Sequence, residues 1–132
     1  MKLIDKLAWI ELKDQSILST KSYGKNKYYI PGGKRESGET DEQALLREIK
    51  EELSVDLDKS TLQFAGTFQA QAHGHTEGTM VKMTCYRATY TGTLKADAEI
   101  EEIKWLHYSD RDHVSEVDKV IFDSLKESGL LV

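Results

Sequence analysis

The first third of the chain alternates apolar and polar residues in short runs, the pattern of β-strands that bury one face. Such runs occupy residues 3–13 and 16–22, and the polar residues 13–15 predict a turn between them. After a polar loop, residues 28–30 form a shorter run that leads into Pro31-Gly32-Gly33. The two glycines permit backbone conformations that other residues avoid. We therefore predict two strands joined by a tight turn, then a short strand that enters a glycine loop.

A helix is predicted immediately after Thr40, which has the hydroxyl side chain preferred at an N-cap. Gln43 lies three residues later and completes a capping box, and Asp41 and Glu42 place negative charge in the first turn. Apolar residues then recur at helical spacing. The residues predicted to face the core are Leu45, Leu46, Ile49 and Leu53.

The second half of the chain predicts a long hairpin, a further strand and a closing helix. Residues 62–72 and 79–90 are the arms of the hairpin, residues 103–106 form the strand, and residues 114–126 form the helix. Strands and helices are mixed without repeats or linkers, so we predict one α/β domain. The residues of the closing helix predicted to face inward are Val117, Val120, Ile121 and Leu125.

Composition narrows the class of protein. The chain has 132 residues, enough for one domain with a sizeable core, and its formal charge of −5 argues against charge-driven binding to nucleic acid or anionic membranes. The amino terminus carries Asp5 and Glu11 and no long apolar run, so neither a signal peptide nor a membrane span is expected. Cys85 is the single cysteine and lies in an apolar alternating run. We expect a reduced, buried thiol and a cytoplasmic protein.

Three glutamates in the segment REIKEEL conflict with the predicted helix. Glu48, Glu51 and Glu52 have i, i+3 and i+4 spacing, so their carboxylates share one side of the helix and repel one another. They also occupy its second half, where the helix dipole favours cations. A solvent-exposed acidic face would give the same pattern. Carboxylates this close together also form a site for hard divalent cations, which take oxygen ligands.

The wider spacing of these residues closely resembles the Nudix box, G-x5-E-x7-R-E-U-x-E-E-x-G-U with U apolar. The segment covers residues 33–55, and Ser54 stands where the family has glycine. The resemblance implies a Nudix hydrolase domain over residues 1–132, with a mixed β-sheet sandwiched between helices in an α/β/α arrangement. The residues that match the motif are Gly33, Glu39, Arg47, Glu48, Ile49, Glu51, Glu52 and Val55.

Nudix enzymes hydrolyse a nucleoside diphosphate linked to another group, with the help of Mg²⁺ or Mn²⁺. By position, the resemblance implies that Glu48, Glu51, Glu52 and the Gly32 carbonyl bind metal, with Glu48 also the candidate general base. Glu39 and Arg47 resemble the ion pair that ties the loop to the helix. An ordinary surface ion pair is the alternative for these two residues.

Many members of the family add a carboxylate from a later loop. The spacing of Glu99 to Trp105 resembles that in MutT-like members, so Glu99 is the predicted additional ligand, and Glu101 and Glu102 are its competitors. His73 and His75 flank Gly74 and suit either a metal-binding pair or a polar hairpin tip. Aromatic residues that could stack on a base are Tyr28, Phe68, Tyr86 and Trp105.

The chain most resembles the MutT-type nucleoside triphosphate pyrophosphohydrolases, because it lacks the proline features of the ADP-ribose and NADH hydrolases. The expected reaction converts a normal or oxidised (deoxy)nucleoside triphosphate to the monophosphate and pyrophosphate. The expected partner is therefore a small-molecule nucleotide, with no nucleic acid polymer and no membrane. An ADP-ribose or nucleotide-sugar diphosphatase and a non-catalytic nucleotide-sensing module remain alternatives, and the chain is expected to be a monomer or a homodimer.

Overall fold

The computed structural model describes residues 2–72 and 78–132, which form nine strands and two α-helices. Two short 3₁₀ segments, Lys59–Thr61 and Tyr108–His113, lie between these elements. None of the described helices is long and apolar enough to cross a membrane. The strands are β1 Lys2–Trp9, β2 Leu12–Lys13, β3 Ser16–Ser22, β4 Gly32–Lys34, β5 Asp56–Leu57, β6 Gln63–Gln71, β7 Thr79–Arg87, β8 Tyr90–Thr91 and β9 Ile100–Leu106; the helices are α1 Asp41–Leu53 and α2 Glu116–Glu127.

The strands pair into three sheets, and the largest has the order β4-β1-β7-β6. Its central pair, β1 and β7, is parallel, whereas β4 and β6 pair antiparallel with their neighbours, so the sheet is mixed. Strands β2, β3 and β9 form a second, antiparallel sheet, and β5 pairs with β8. Strands β6 and β7 are the two arms of the predicted hairpin, which is confirmed.

The alternation of side chains along β1 divides the core between the two helices. Leu7 and Trp9 pack against the apolar stripe of α1, whereas Ala8 and the following Ile10 pack against α2. All four residues are almost wholly buried. The sheet is thus covered by a helix on each face, and the predicted α/β/α sandwich is confirmed.

Several element boundaries differ from the predictions. Residues 3–13 form two strands, and residues 28–30 form only two isolated bridges, one to Thr20 and one to Val114. The glycine loop begins a strand at Gly32, because Gly32–Lys34 pairs with β1. Strand β7 ends at residue 87 rather than 90, and β9 begins at residue 100 rather than 103. Pairing partners, which local sequence does not reveal, decide these boundaries.

The closing helix corrects one core residue. Val120, predicted to face inward, is 38% exposed, and Phe122 is fully buried instead. Val117, Ile121 and Leu125 are buried as predicted. The buried stripe of α2 is therefore turned toward Phe122, whose larger side chain fills the space against the sheet.

Helix α1 begins at the predicted residue, and it ends at Leu53, the last residue of its predicted apolar stripe. The Thr40 hydroxyl accepts from the Gln43 amide, and the Gln43 side chain accepts from the Thr40 amide, which completes the capping box. At the other end, Ser54 is the C-cap in the left-handed region, with φ 61° and ψ 24°. Glycine reaches this conformation without the steric cost that a side chain adds.

Replacing Ser54 with glycine should stabilise the protein, because it removes the left-handed strain of a residue with a Cβ. We expect a gain of about 0.5 to 1 kcal/mol in the free energy of unfolding, measured by urea denaturation. The loss of the exposed hydrogen bond from Ser54 Oγ to Asp97 Oδ2, 3.3 Å, reduces the gain. A less stable variant would mean that this hydrogen bond outweighs the strain, and Ser54→Ala separates the two contributions.

Candidate active site

A cleft of about 390 Å³ lies between the edge strand β4 and the sheet that contains β3 and β9. This volume is within the range of small-molecule sites. Helix α1 contributes Glu48 and Glu52 to the wall of the cleft, and the loop before β9 contributes Glu99. The charged residues that line the cleft are Lys6, Lys25, Lys34, Glu48, Glu52 and Glu99.

The two glycines before this cleft are required by close contacts. A Cβ at Gly32 would collide with the carbonyl oxygen of Leu7 on the paired strand β1. A Cβ at Gly33 would collide with the carboxylate of Glu48. The pair of glycines therefore lets the backbone of β4 lie directly against β1 on one side and against a carboxylate of α1 on the other.

Arg47 connects the loop before α1 with the helix itself. Its Nε and second terminal nitrogen donate to the two carboxylate oxygens of Glu39, at 2.7 and 2.8 Å. Its other terminal nitrogen donates to Glu48 Oε1 at 2.8 Å, and the guanidinium also reaches the Lys34 carbonyl. Arg47 lowers the pKa of Glu39 to about 2. The predicted contact between Glu39 and Arg47 is present and two-pronged.

Glu52 is the most buried carboxyl of the cleft. Glu52 is only 7% exposed, and the Gly32 amide donates a hydrogen bond to its Oε1 at 3.4 Å. Burial, a hydrogen bond with Glu99 and the nearby charge of Glu48 raise the pKa of Glu52 to about 9. Burial also raises the pKa of Glu48. Carboxyl groups held side by side in this way, such as Glu52 and Glu99, form a site that favours a cation.

The loop that carries Glu99 is docked on the carboxyl end of α1. The amides of Lys95 and Asp97 donate to the carbonyls of Leu53 and Glu52, both at 3.0 Å. These carbonyls have no partner within the helix, so the loop satisfies them. The docking brings Glu99 beside Glu52, although the two residues are far apart in sequence.

The chain matches one protein-family model over most of its length. The NUDIX domain model matches residues 7–123. The chain belongs to the Nudix family. A 42-residue segment, 32% of the chain, is 50% identical to an 8-oxo-dGTP diphosphatase from Proteus vulgaris. A 97-residue segment, 74% of the chain, is 26% identical to the uncharacterized Nudix hydrolase YvcI from Bacillus subtilis. The matches span 38% and 61% of these two proteins.

Solved Nudix structures share the fold at low sequence identity. The E. coli ORF135 protein has a TM-score of 0.73 and 24% identity, with 97% of this chain and 94% of that chain covered. A MutT Nudix hydrolase from Burkholderia pseudomallei has a TM-score of 0.74 and 19% identity, with 93% and 98% covered. At these identities the likeness concerns the fold, which agrees with the sheet and helix arrangement described above.

The structure brings some of the Nudix-box carboxylates together and separates others. Glu48, Glu52 and Glu99 line the cleft with Gly32, whereas Glu51 is exposed and its Oε1 lies 3.5 Å from the Arg47 guanidinium. Glu101 pairs with Lys21 outside the cleft. Glu102 forms a hydrogen bond with Tyr28. His73 and His75 lie outside the described residues.

The donor set of the cleft fits a hard divalent cation. It consists of carboxyl oxygens and backbone oxygen, the ligands that Mg²⁺ and Mn²⁺ take. Within residues 2–72 and 78–132, however, no three acidic, histidine or cysteine side chains stand close enough to hold a metal as they are arranged. Glu51 and Glu48 are both turned toward Arg47. Arg47 contacts only Oε1 of Glu48, which leaves Oε2 available next to Gly33.

Sequence reasoning missed several residues of the cleft and suggested the wrong aromatics. None of the four proposed aromatic residues lines it, as far as the structure describes the chain; Tyr29 does. The Tyr86 hydroxyl instead donates to Asp41 at the start of α1. Lys6 also lines the cleft, and its position between the apolar residues Ile4 and Ala8 of the same β1 row was a signal that could have identified it.

Proposed function

We propose that this chain is a Nudix pyrophosphohydrolase that converts a normal or oxidised (deoxy)nucleoside triphosphate to the monophosphate and pyrophosphate, using Mg²⁺ or Mn²⁺. The observation that carries the proposal is the convergence of Glu48, Glu52 and Glu99 with Gly32 in one cleft next to lysines. A triphosphate needs cations, and metal held by these carboxylates would supply them. The matched segment of the 8-oxo-dGTP diphosphatase supports a triphosphate substrate.

Each residue has a proposed role. Glu48, Glu51, Glu52, Glu99 and the Gly32 carbonyl would hold the metal, which would neutralise phosphate charge and lower the pKa of an attacking water.

Arg47 and Glu39 position these ligands. Because Arg47 occupies Glu48 Oε1, the other oxygen, Oε2, is the atom that can accept the proton of the water. The ion pair with Glu39 holds Arg47, and through it Glu48, in place.

We further propose that the Nudix domain extends over residues 1–132, with its box at 33–55. Support comes from both ends of the described chain: β1 begins at Lys2, and Leu131 is 1% exposed within the α2 core. A cytoplasmic location is supported by Cys85, a free and buried thiol whose pKa burial raises to about 12.

The proposal is tested by phosphate release in the presence of inorganic pyrophosphatase. The panel comprises the four deoxynucleoside triphosphates, 8-oxo-dGTP, ADP-ribose and a nucleotide sugar. We expect turnover of triphosphates with Mg²⁺ or Mn²⁺ and none after exhaustive EDTA treatment. Release of AMP from ADP-ribose alone, followed chromatographically, would favour a diphosphatase. Nucleotide binding without any turnover would favour a sensing module.

Replacing Glu99 with glutamine should lower kcat by about 10²-fold, because it removes a charged oxygen ligand beside Glu52. Glu101→Gln is the matched control, since it makes the same change two residues away, where the carboxylate pairs with Lys21. Steady-state rates with Mg²⁺ measure both. A change below threefold for Glu99→Gln would remove this residue from the site.

A further inference from the structure

Lys6 stands between Ile4 and Ala8 in the row of β1 that faces the α2 core. Side chains alternate along the strand, so Lys6 projects from the same face as Ala8, which is fully buried in the α2 core. Burial lowers the pKa of Lys6. A half-buried ammonium in such a row costs free energy of folding.

Among the described residues, none forms an ion pair or hydrogen bond with the Lys6 ammonium. Its Nζ lies 5.8 Å from the centre of the Tyr29 ring, a cation–π contact. The charge that acts on it most strongly is that of Asp118 on α2, ahead of Lys34, Glu52 and Glu48. The donors of the Lys6 ammonium are thus available to a ligand in the cleft.

The cleft has two chemically different ends. On β4, Gly33 lies against the Glu48 carboxylate. It is paired with Leu7, whose side chain faces α1. Lys6 is adjacent to Leu7 and therefore projects from the opposite face. At that end the wall consists of Tyr29 together with Ile30 and Met83 of the α2 core. Carboxylates line one end, and an aromatic and apolar wall lines the other. Lys6 is half-buried there, whereas its cross-strand partner Lys34, which projects from the same face, is exposed.

Given the proposed function, a substrate with its phosphates at the carboxylates extends its base to the apolar end. We propose that Lys6 determines base specificity by donating a hydrogen bond to a keto oxygen on the edge of that base. Guanine and thymine carry a keto oxygen where adenine and cytosine carry an amino group. An ammonium donor attracts the first pair and repels the second, and a buried donor left without its acceptor costs affinity.

The test is Lys6→Met, which removes the ammonium but keeps the length and apolar body of the side chain. Wild type should prefer dGTP and dTTP to dATP and dCTP by about 10- to 100-fold in kcat/KM, the scale of one hydrogen bond to a charged group. Lys6→Met should lose this preference through a rise in KM for dGTP and dTTP, with kcat changed little. Lys6→Arg, which keeps a charged donor, should keep the sign of the preference.

Lys104→Met is the matched control. Lys104 makes the same kind of contact, 5.7 Å from the Tyr28 ring, but lies outside the cleft. It should leave the preference unchanged. Thermal melting of all variants establishes that they are folded, and Lys6→Met should be at least as stable as wild type because it removes a half-buried charge.

Binding of dGMP and dAMP, measured by calorimetry without turnover, separates this inference from the proposed reaction. If triphosphates are hydrolysed but Lys6→Met affects the four bases alike or not at all, the role of Lys6 is wrong and the reaction stands. If no triphosphate is hydrolysed but Lys6→Met weakens dGMP and not dAMP, the reaction is wrong and the role of Lys6 stands. With neither effect, both are wrong.

Discussion

In EDTA at pH 8, Glu52→Gln should be more stable than wild type by about 2 to 4 kcal/mol, and with Mg²⁺ its kcat/KM should fall by about 10³-fold or more. The gain follows from the buried position of Glu52, whose pKa is raised from 4.5 to about 9 by burial first and by Glu99 second. Glutamine keeps the acceptor for the Gly32 amide and donates to Glu99. The loss of activity follows because the substituted side chain is a poor metal ligand.

The pH dependence has a definite sign. Between pH 4.5 and about 9, the folded state holds a proton on Glu52 that the unfolded state has released. Wild-type stability in EDTA should therefore fall as the pH rises through this range, whereas Glu52→Gln should lack this component of the slope. Saturating Mg²⁺ should stabilise wild type more than the variant, because the metal binds the folded protein. Urea denaturation at pH 5, 6, 7 and 8 measures each quantity.

Glu51→Gln is the matched control for this prediction. It makes the same substitution one residue earlier on the same helix, but the Glu51 side chain is 54% exposed and lies near Arg47. Its stability in EDTA should stay within about 0.5 kcal/mol of wild type. A wild type more stable than Glu52→Gln at pH 8 would contradict the buried, protonated state of this carboxyl.

Arg47→Met should lower kcat/KM by at least about 10²-fold and destabilise the fold. The Arg47 guanidinium binds the carboxylates of Glu39 and Glu48 and the Lys34 carbonyl. Its loss leaves the Glu39 and Glu48 carboxylates, 18% and 17% exposed, without their cation and frees the Lys34 carbonyl. The unpaired charges repel each other, and Glu48 loses the contact that fixes its side chain. Arg47→Lys should recover little, since an ammonium cannot make the two-pronged contact.

Arg111→Met provides the control for Arg47. Arg111 also makes a two-pronged contact, with Asp123, but both side chains are more exposed, at 36% and 45%. It should lower the melting temperature less and leave kcat/KM unchanged. Acid denaturation adds a second readout: the low pKa of Glu39 means that its stabilising contact is present above about pH 4.5 and lost as the pH falls toward 2. Arg47→Met should lack this loss.

The elements that were predicted well are those whose signals are local. Thr40 and Gln43 cap α1 through contacts three residues apart, and the apolar stripe of that helix repeats every turn. Strand boundaries were predicted less well. Residues 28–30 have the composition of a strand but form only isolated β-bridges, to Thr20 and Val114. Gly32–Lys34, in contrast, is a strand because it pairs with β1.

The sequence by itself determined the family motif, the capped helix that carries it, and the ion pair of Glu39 with Arg47, because these depend on spacings within about twenty residues. Only the tertiary structure decided how the three helix glutamates differ. Glu52 is buried where the loop before β9 docks on the end of α1, and Glu51 is exposed because no element of the described chain covers it. Only the structure brought Glu99 and Lys6 into the same cleft, from segments more than ninety residues apart. Burial and long-range contacts set the pKa and the partners of a side chain, and neither is encoded in its neighbours along the chain.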